Sequence, residues 1–284
     1  MQQNDNIKNL TDCWLKAAGN TGFTDESKTA EFWNRRSAGY AENALKGEKQ
    51  KRTEEILNFL QESGFNPKGA RVLDIGCGPG TLSIPLAKAG AEITAVDISS
   101  GMLDKLKETV RNESLPVDIV ECSWWTADID KLGFRGKFDL VLASMTPAVK
   151  DLQSLERMIA CSRGLCYYSN FLKRGEDKAF AEIFSLTGRE NPAGHGNGMM
   201  YPFMYLYLQG CLPSLKINHS VWKDDSLWEE AAEKMTDFIG RSHECDEKTK
   251  EIIREYYKNA SSDGRYYSES DVYTSMMVWK INGS

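Results

Sequence analysis

Three glycines and two aspartates carry the chemistry of this sequence. The run Val72-Leu73-Asp74-Ile75-Gly76-Cys77-Gly78-Pro79-Gly80 reads as an apolar strand entering a glycine turn, and Thr81, Leu82, Ile84, Leu86 and Ala87 continue it as a helix. Glycine lets a backbone turn sharply and approach a ligand with no Cβ between them. Seventeen residues past Gly80 a second apolar run ends at Asp97, where a carboxylate can accept hydrogen bonds from both hydroxyls of a ribose. Strand, glycine turn, helix, strand and terminal Asp in that order specify a nucleoside site. Charge narrows the choice of nucleoside. A dinucleotide sets its pyrophosphate against the helix N-terminus, where a neighbouring carboxylate repels it. Asp74 stands two residues before the first glycine, and the spacing Gly76, Gly78, Gly80 departs from G-x-G-x-x-G. Coulomb attraction in a partly dry cleft there favours a ligand with a cationic end, such as the amino group and sulfonium of S-adenosylmethionine.

The elements that must hold these residues follow from periodicity. Between residues 71 and 170 short apolar runs alternate with amphipathic segments, the pattern of a parallel sheet flanked by helices. Strands are expected over 72–75, 92–97, 117–121, 138–143 and 165–169. Met102, Leu103, Leu106 and Val110 repeat at helical spacing behind Ser99, an expected N-cap, and Leu152, Leu155, Met158 and Ile159 do the same later. Two further strand candidates, 215–222 and 272–281, complete a seven-stranded sheet. The expected fold is α/β: a Rossmann-like, mostly parallel seven-stranded sheet with helices on both faces, plus a helical N-terminal segment and a cap insert. The expected division is an N-terminal helical lid over 1–50, a nucleoside-binding α/β core over 51–170, and a cap insert with the C-terminal strands over 171–284.

Residues 72–80 and Ala95-Val96-Asp97-Ile98-Ser99-Ser100-Gly101-Met102-Leu103 resemble the first two motifs of the class I S-adenosylmethionine-dependent methyltransferases, in particular small-molecule enzymes of the type 11 and 25 kind. The resemblance runs over 72–169, and Phe32-Trp33-Asn34-Arg35-Arg36-Ser37-Ala38-Gly39-Tyr40 resembles the N-terminal segment of many small-molecule members. It implies that Asp74 and the backbone of Gly76, Cys77, Gly78 and Gly80 hold the methionine part of the donor, that Asp97 holds the ribose, and that Ile98 and Met102 flank the adenine. By the same resemblance Arg36 and Tyr40 reach the methionine carboxylate. The chain departs from the family twice. Where members place an Asp for the adenine amino group it has Glu121-Cys122-Ser123-Trp124-Trp125, so Ser123 or the backbone is the expected substitute and Trp124 the expected stacking partner. After the fourth strand Ser144-Met145-Thr146-Pro147 replaces the Asn-Pro-Pro-Tyr that resembles DNA adenine methylases, which disfavours that chemistry.

Methyl transfer from a sulfonium is an in-line displacement, so alignment and exclusion of water matter more than a base. His195, His219 and the tyrosines of the cap are the base candidates, His195 read first as an exposed loop residue and His219 as an alternating strand residue. The aromatic run Tyr201, Phe203, Tyr205, Tyr207 is read as packing ahead of a pocket lining. A net charge of -6 argues against a long nucleic-acid partner. The seven cysteines, odd in number and nowhere spaced as C-x2-C, read as reduced thiols, and no metal site is expected. No apolar stretch approaches the roughly 20 residues a bilayer crossing needs, and the polar start lacks the order of a secretory signal, so cytoplasmic residence is expected. The expected partner is a small-molecule methyl acceptor, with a protein or tRNA acceptor, or donor binding without turnover, as the alternatives.

Overall fold

In the computed structural model, residues 2–18, 25–43, 47–175, 177–189, 198–240 and 244–281 are described. Three helices, α1 (Gln2–Ala18), α2 (Glu26–Asn43) and α3 (Gly47–Glu62), precede the sheet. Five strands then alternate with helices: β1 (Arg71–Ile75), α4 (Ser83–Lys88), β2 (Glu92–Asp97), α5 (Ser100–Glu113), β3 (Val117–Glu121), β4 (Phe138–Ser144), α6 (Leu152–Cys161) and β5 (Ser162–Arg174). The chain continues through α7 (Lys178–Leu186), α8 (Met200–Leu208), β6 (Ser214–Leu227), α9 (Trp228–Ile239), α10 (Glu247–Ala260) and β7 (Arg265–Lys280).

The seven strands form one sheet in the order β3-β2-β1-β4-β5-β7-β6. β1 to β5 are parallel; β7 runs antiparallel to both β5 and β6. The seven-stranded, mostly parallel sheet expected from periodicity is therefore present. Val72, Leu73 and Ile75 are fully buried because helices cover both faces, which is why β1 reads as a continuous apolar run. One face packs Ile56, Phe59 and Leu60 of α3 and Leu103 and Leu106 of α5 against Val72, Leu140, Leu142 and Tyr167. The other packs Leu155 and Met158 of α6, Tyr205 and Leu206 of α8 and Trp14 of α1 against Leu73, Ile75, Val141 and Tyr168.

Strand order reverses between β1, which leads outward to β2 and β3, and β4, which leads to β5. In an open α/β sheet a ligand crevice lies outside the carboxyl ends of the strands at such a switch point. The glycine turn after β1 occupies that position.

The late strands are longer than their apolar pattern predicts. β6 and β7 pair continuously from Ser214↔Val278 to Leu227↔Arg265. Their outer halves carry charges matched across the strands, Lys223 to Glu269 at 2.7 Å and Arg265 to Asp225 at 2.7 Å. Cross-strand pairs of opposite charge support a ribbon without apolar alternation, so periodicity alone missed it. α7, α9 and α10 pack on this extension around a separate core of Phe184, Ala232, Met235, Ile253 and Tyr266.

Candidate functional site

The turn after β1 is built by steric exclusion. Gly76, Gly78 and Gly80 have φ of +67°, +55° and +91°, the left-handed region that disfavours a side chain. A Cβ on Gly76 would lie 2.1 Å from Thr146 Oγ1, and one on Gly80 would lie 2.5 Å from Leu106 Cδ1. A Cβ on Gly78 would meet nothing within 4 Å. Two glycines thus seat the turn against the loop after β4 and against α5, and the middle one faces open space. Cys77 between them is buried, its thiol pushed up by burial and by the nearby Asp74 and Asp97.

Both aspartates lie at this turn. Asp97 Oδ2 accepts from the Gly78 N–H at 2.8 Å and Oδ1 from the Ser99 N–H at 2.8 Å, so one carboxylate joins the end of β2 to the apex of the glycine turn. Burial raises its pKa against the lowering effect of those hydrogen bonds. Asp74 is 2% exposed and accepts from the Ser83 hydroxyl at 2.6 Å. Burial, reinforced by the charge of Asp97, raises its pKa to about 7. Neither carboxylate has a Lys or Arg ion-pair partner among the described residues. Two buried, unpaired carboxylates beside an open turn form a site short of positive charge.

The second motif is capped as expected: Ser99 Oγ accepts from the Met102 N–H at 3.2 Å. Met102 is buried beneath the start of α5, and Ile98 is half-buried on the turn before it. The N-terminal segment closes over this start. Asn34 Oδ1 accepts from the Ser99 hydroxyl at 2.7 Å and from the Gly101 N–H at 3.0 Å. Farther back on α2, Glu26 Oε1 accepts from Ser123 Oγ at 2.6 Å and from Thr126 Oγ1 at 3.0 Å. The helix therefore spans from the loop after β3 to the start of α5. Asn34 was invisible as a site residue because only the fold brings it to Gly101, where a Cβ would press on it at 3.3 Å.

Several expectations change here. Trp124 does not present a face for stacking: its ring is buried in the core, and its indole N–H donates to the Ser154 carbonyl at 3.1 Å, under α6. Ser123 is engaged by Glu26. Arg36 turns toward α9, stacking on Phe32 at 3.9 Å and pairing with Asp237 of that helix at 3.4 Å. Arg52 of α3 is a further cation that the sequence motifs did not single out. It continues the buried stripe of Ile56, Phe59 and Leu60 one turn toward the strand ends, and its Nη2 is buried without a hydrogen-bond partner among the described residues. Burial lowers its pKa, opposed by Tyr167, Glu55 and Tyr40. Tyr40 is thus near Arg52, with its ring edge-on to Trp33 at 5.6 Å. An arginine on an otherwise apolar helical stripe was the available signal.

His219 is an exposed strand residue bonded to Asp271 Oδ1 at 2.6 Å and stacked on Tyr273, away from the turn. His195 lies outside the described residues. The aromatic run packs: Tyr201 stacks on Trp14 at 5.9 Å, and Tyr205 donates to Glu156 at 2.8 Å. All seven cysteines are free, and among the described residues no cluster of His, Cys, Asp or Glu could hold a metal. No described helix is long and apolar enough to cross a membrane.

Residues 72–164 match the model of a methyltransferase domain. These residues form a class I S-adenosylmethionine-dependent methyltransferase domain. An uncharacterized protein of Haemophilus influenzae is 25% identical over 88% of this chain and 89% of its own length. A cypemycin N-terminal methyltransferase from Streptomyces sp is 34% identical over 47% of this methyltransferase and 50% of that one. A ubiquinone biosynthesis O-methyltransferase of Actinobacillus pleuropneumoniae serotype 7 is 37% identical over 22% and 26%. The chain thus spans about half and about a quarter of the length of these two named relatives. The crystal structure of magnesium protoporphyrin IX methyltransferase from Synechocystis PCC 6803 with bound SAH shares the fold, at 14% identity and a TM-score of 0.53, over 91% of this chain and all of that one.

Proposed function

We propose that this methyltransferase binds S-adenosylmethionine in the crevice above β1, β2 and β4 and transfers its methyl group to a small-molecule acceptor. The observation that carries the reading is the pair of buried carboxylates, Asp74 and Asp97, flanking an open glycine turn without a protein cation. A ligand with a cationic amino group relieves the cost of ionising Asp74, and a ribose satisfies the remaining lone pairs of Asp97. A pyrophosphate meets repulsion at the same place. Arg52, with one nitrogen buried and unbonded, supplies the cation for the donor's carboxylate, and Tyr40 stands beside it. Ile98 borders the adenine side. When bound, S-adenosylmethionine supplies a methyl group already activated on a sulfonium.

The residues' task is then to position and to exclude water. α2 covers the start of α5 through Asn34 and meets the cap through Arg36 and Asp237. The small-molecule reading rests on this cover and on the net charge of -6, which gives no incentive to a polyanionic acceptor. The free cysteines suit the cytoplasm. The test is transfer of label from methyl-labelled S-adenosylmethionine into a cell extract, followed by separation by size. Label in low-mass products is the expected result. Label confined to protein or RNA contradicts the acceptor class, and donor binding with no labelled product contradicts turnover.

A further inference from the structure

Beside the glycine turn, on the face covered by α3, the carboxyl end of β4 and the middle of β5 paired with it carry three hydroxyls. Ser144 and Ser169 face each other in register and their Oγ atoms lie 2.9 Å apart. Tyr167, two residues before Ser169 and so on the same face, is fully buried. Its phenolic oxygen has no hydrogen-bond partner among the described residues. Burial raises its pKa to about 12, opposed by the nearby Ser169, Arg52 and Ser144. The phenol therefore keeps its proton, and the two serines next to it bond each other. An unbonded buried hydroxyl costs about 1–3 kcal/mol, and Tyr167 is joined in that state by Nη2 of Arg52. Two unsatisfied donors of one cluster, a cation and a neutral O–H, are complementary to a single carboxylate.

We propose that Tyr167 is a binding residue whose phenol donates to the same ligand carboxylate that Arg52 holds, with Ser144 and Ser169 orienting the phenol. This rests on the donor reading above, which puts the methionine carboxylate at Arg52. It adds a neutral donor from β5, on the side of the crevice away from Asp97, and so ties the donor's amino-acid end to a strand that continues into the cap.

The test is calorimetric titration of the wild type and of Tyr167→Phe with S-adenosylhomocysteine and with 5′-methylthioadenosine, which keeps the nucleoside and lacks the amino acid, alongside thermal melts without ligand. Tyr167→Phe is expected to weaken S-adenosylhomocysteine about tenfold, to leave methylthioadenosine unchanged and to leave the unliganded Tm unchanged or higher, because the deleted oxygen is unbonded. Unchanged S-adenosylhomocysteine affinity overturns the proposal. So does equal weakening of both ligands with a lowered Tm, which marks the phenol as a packing group. Ser169→Ala, which leaves the ring intact, is expected to weaken S-adenosylhomocysteine alone, by a smaller factor; no effect on either ligand again counts against it. Failure of the wild type to bind either compound overturns the donor reading itself, whereas normal wild-type binding with an insensitive Tyr167→Phe overturns only the role of the phenol.

Discussion

β1, β2 and β3 are 5, 6 and 5 residues long and end together at the crevice, whereas β5, β6 and β7 run for 13, 14 and 16. In the short half β1 and β2 are buried on both faces while β3 is a half-exposed edge strand, and the departures from apolar character at the ends of β1 and β2 are candidate site residues: Asp74, Gly76, Gly78, Asp97. The outer part of the long half leaves the common core, pairs Lys223 with Glu269 and Arg265 with Asp225 across a ribbon, and collects α7, α9 and α10 around a core of its own. Where the sheet is buried, a polar residue has to be justified by a ligand or a hydrogen bond; where it is a solvated ribbon, polar residues are ordinary. The first half therefore states its function in sequence and the second does not.

The contrast breaks most visibly at the glycines. Gly80→Val, with φ of +91° and Leu106 in the way, is expected to destabilise the fold by about 2–4 kcal/mol, read from urea unfolding. Gly78→Val faces open space and is expected to fold with only the strain of a left-handed branched residue, about 1–2 kcal/mol. It should nonetheless lose S-adenosylhomocysteine affinity on the order of 100-fold, equivalent to about 2.7 kcal/mol. A Gly78→Val variant that binds normally removes the turn from the site.

How far the sequence carried the structure follows the same division. β2 and β3 were legible to the residue and β1 and β4 to within one, because burial of β1, β2 and β4 writes a largely apolar run and the half-exposed edge strand β3 keeps an alternating one. Ser99 was legible as a cap, since its hydroxyl has a local partner. Asn34 and Tyr167 were not, since no local pattern encodes a hydrogen bond between α2 and α5 or an unbonded hydroxyl beneath α3, and Arg52 left only the trace of a cation on an apolar helical stripe. Trp124 was misread for the converse reason, because a tryptophan near a strand end looks the same whether its ring meets a ligand or packs beneath α6.

Two smaller effects sharpen the comparison at the carboxylates. Asp97→Ala is expected to weaken donor binding by about 1–3 kcal/mol, the scale for hydrogen bonds lost at a buried polar contact, and unchanged affinity in a titration removes Asp97 from the site. For Asp74 the sign follows from a folded pKa raised from 3.8 to about 7. Between those values the folded, unliganded protein holds a proton that the unfolded chain has released, so stability falls as pH rises through that window and stays lower above it. Asp74→Asn is therefore expected to stabilise the unliganded protein at pH 8 by on the order of 1–3 kcal/mol. A cationic ligand needs the ionised form, so wild-type affinity should fall as pH drops below about 7, and Asp74→Asn should flatten that profile. A destabilised, still pH-dependent Asp74→Asn contradicts the assignment.

The smallest effect belongs to the ribbon. Glu269→Gln removes one partner of an exposed cross-strand pair and is expected to leave both Tm and donor affinity unchanged, since solvent screens such pairs. A large loss in either would mean that the ribbon reports to the crevice.

The central claim is that unpaired carboxylates around an open turn choose a cationic nucleoside over a phosphorylated one. Parallel calorimetric titrations with S-adenosylmethionine and with NAD at pH 8, where Asp74 is ionised, measure that choice directly. Saturable one-to-one binding of S-adenosylmethionine with no heat from NAD is the predicted result. Binding of NAD in preference to S-adenosylmethionine would contradict it.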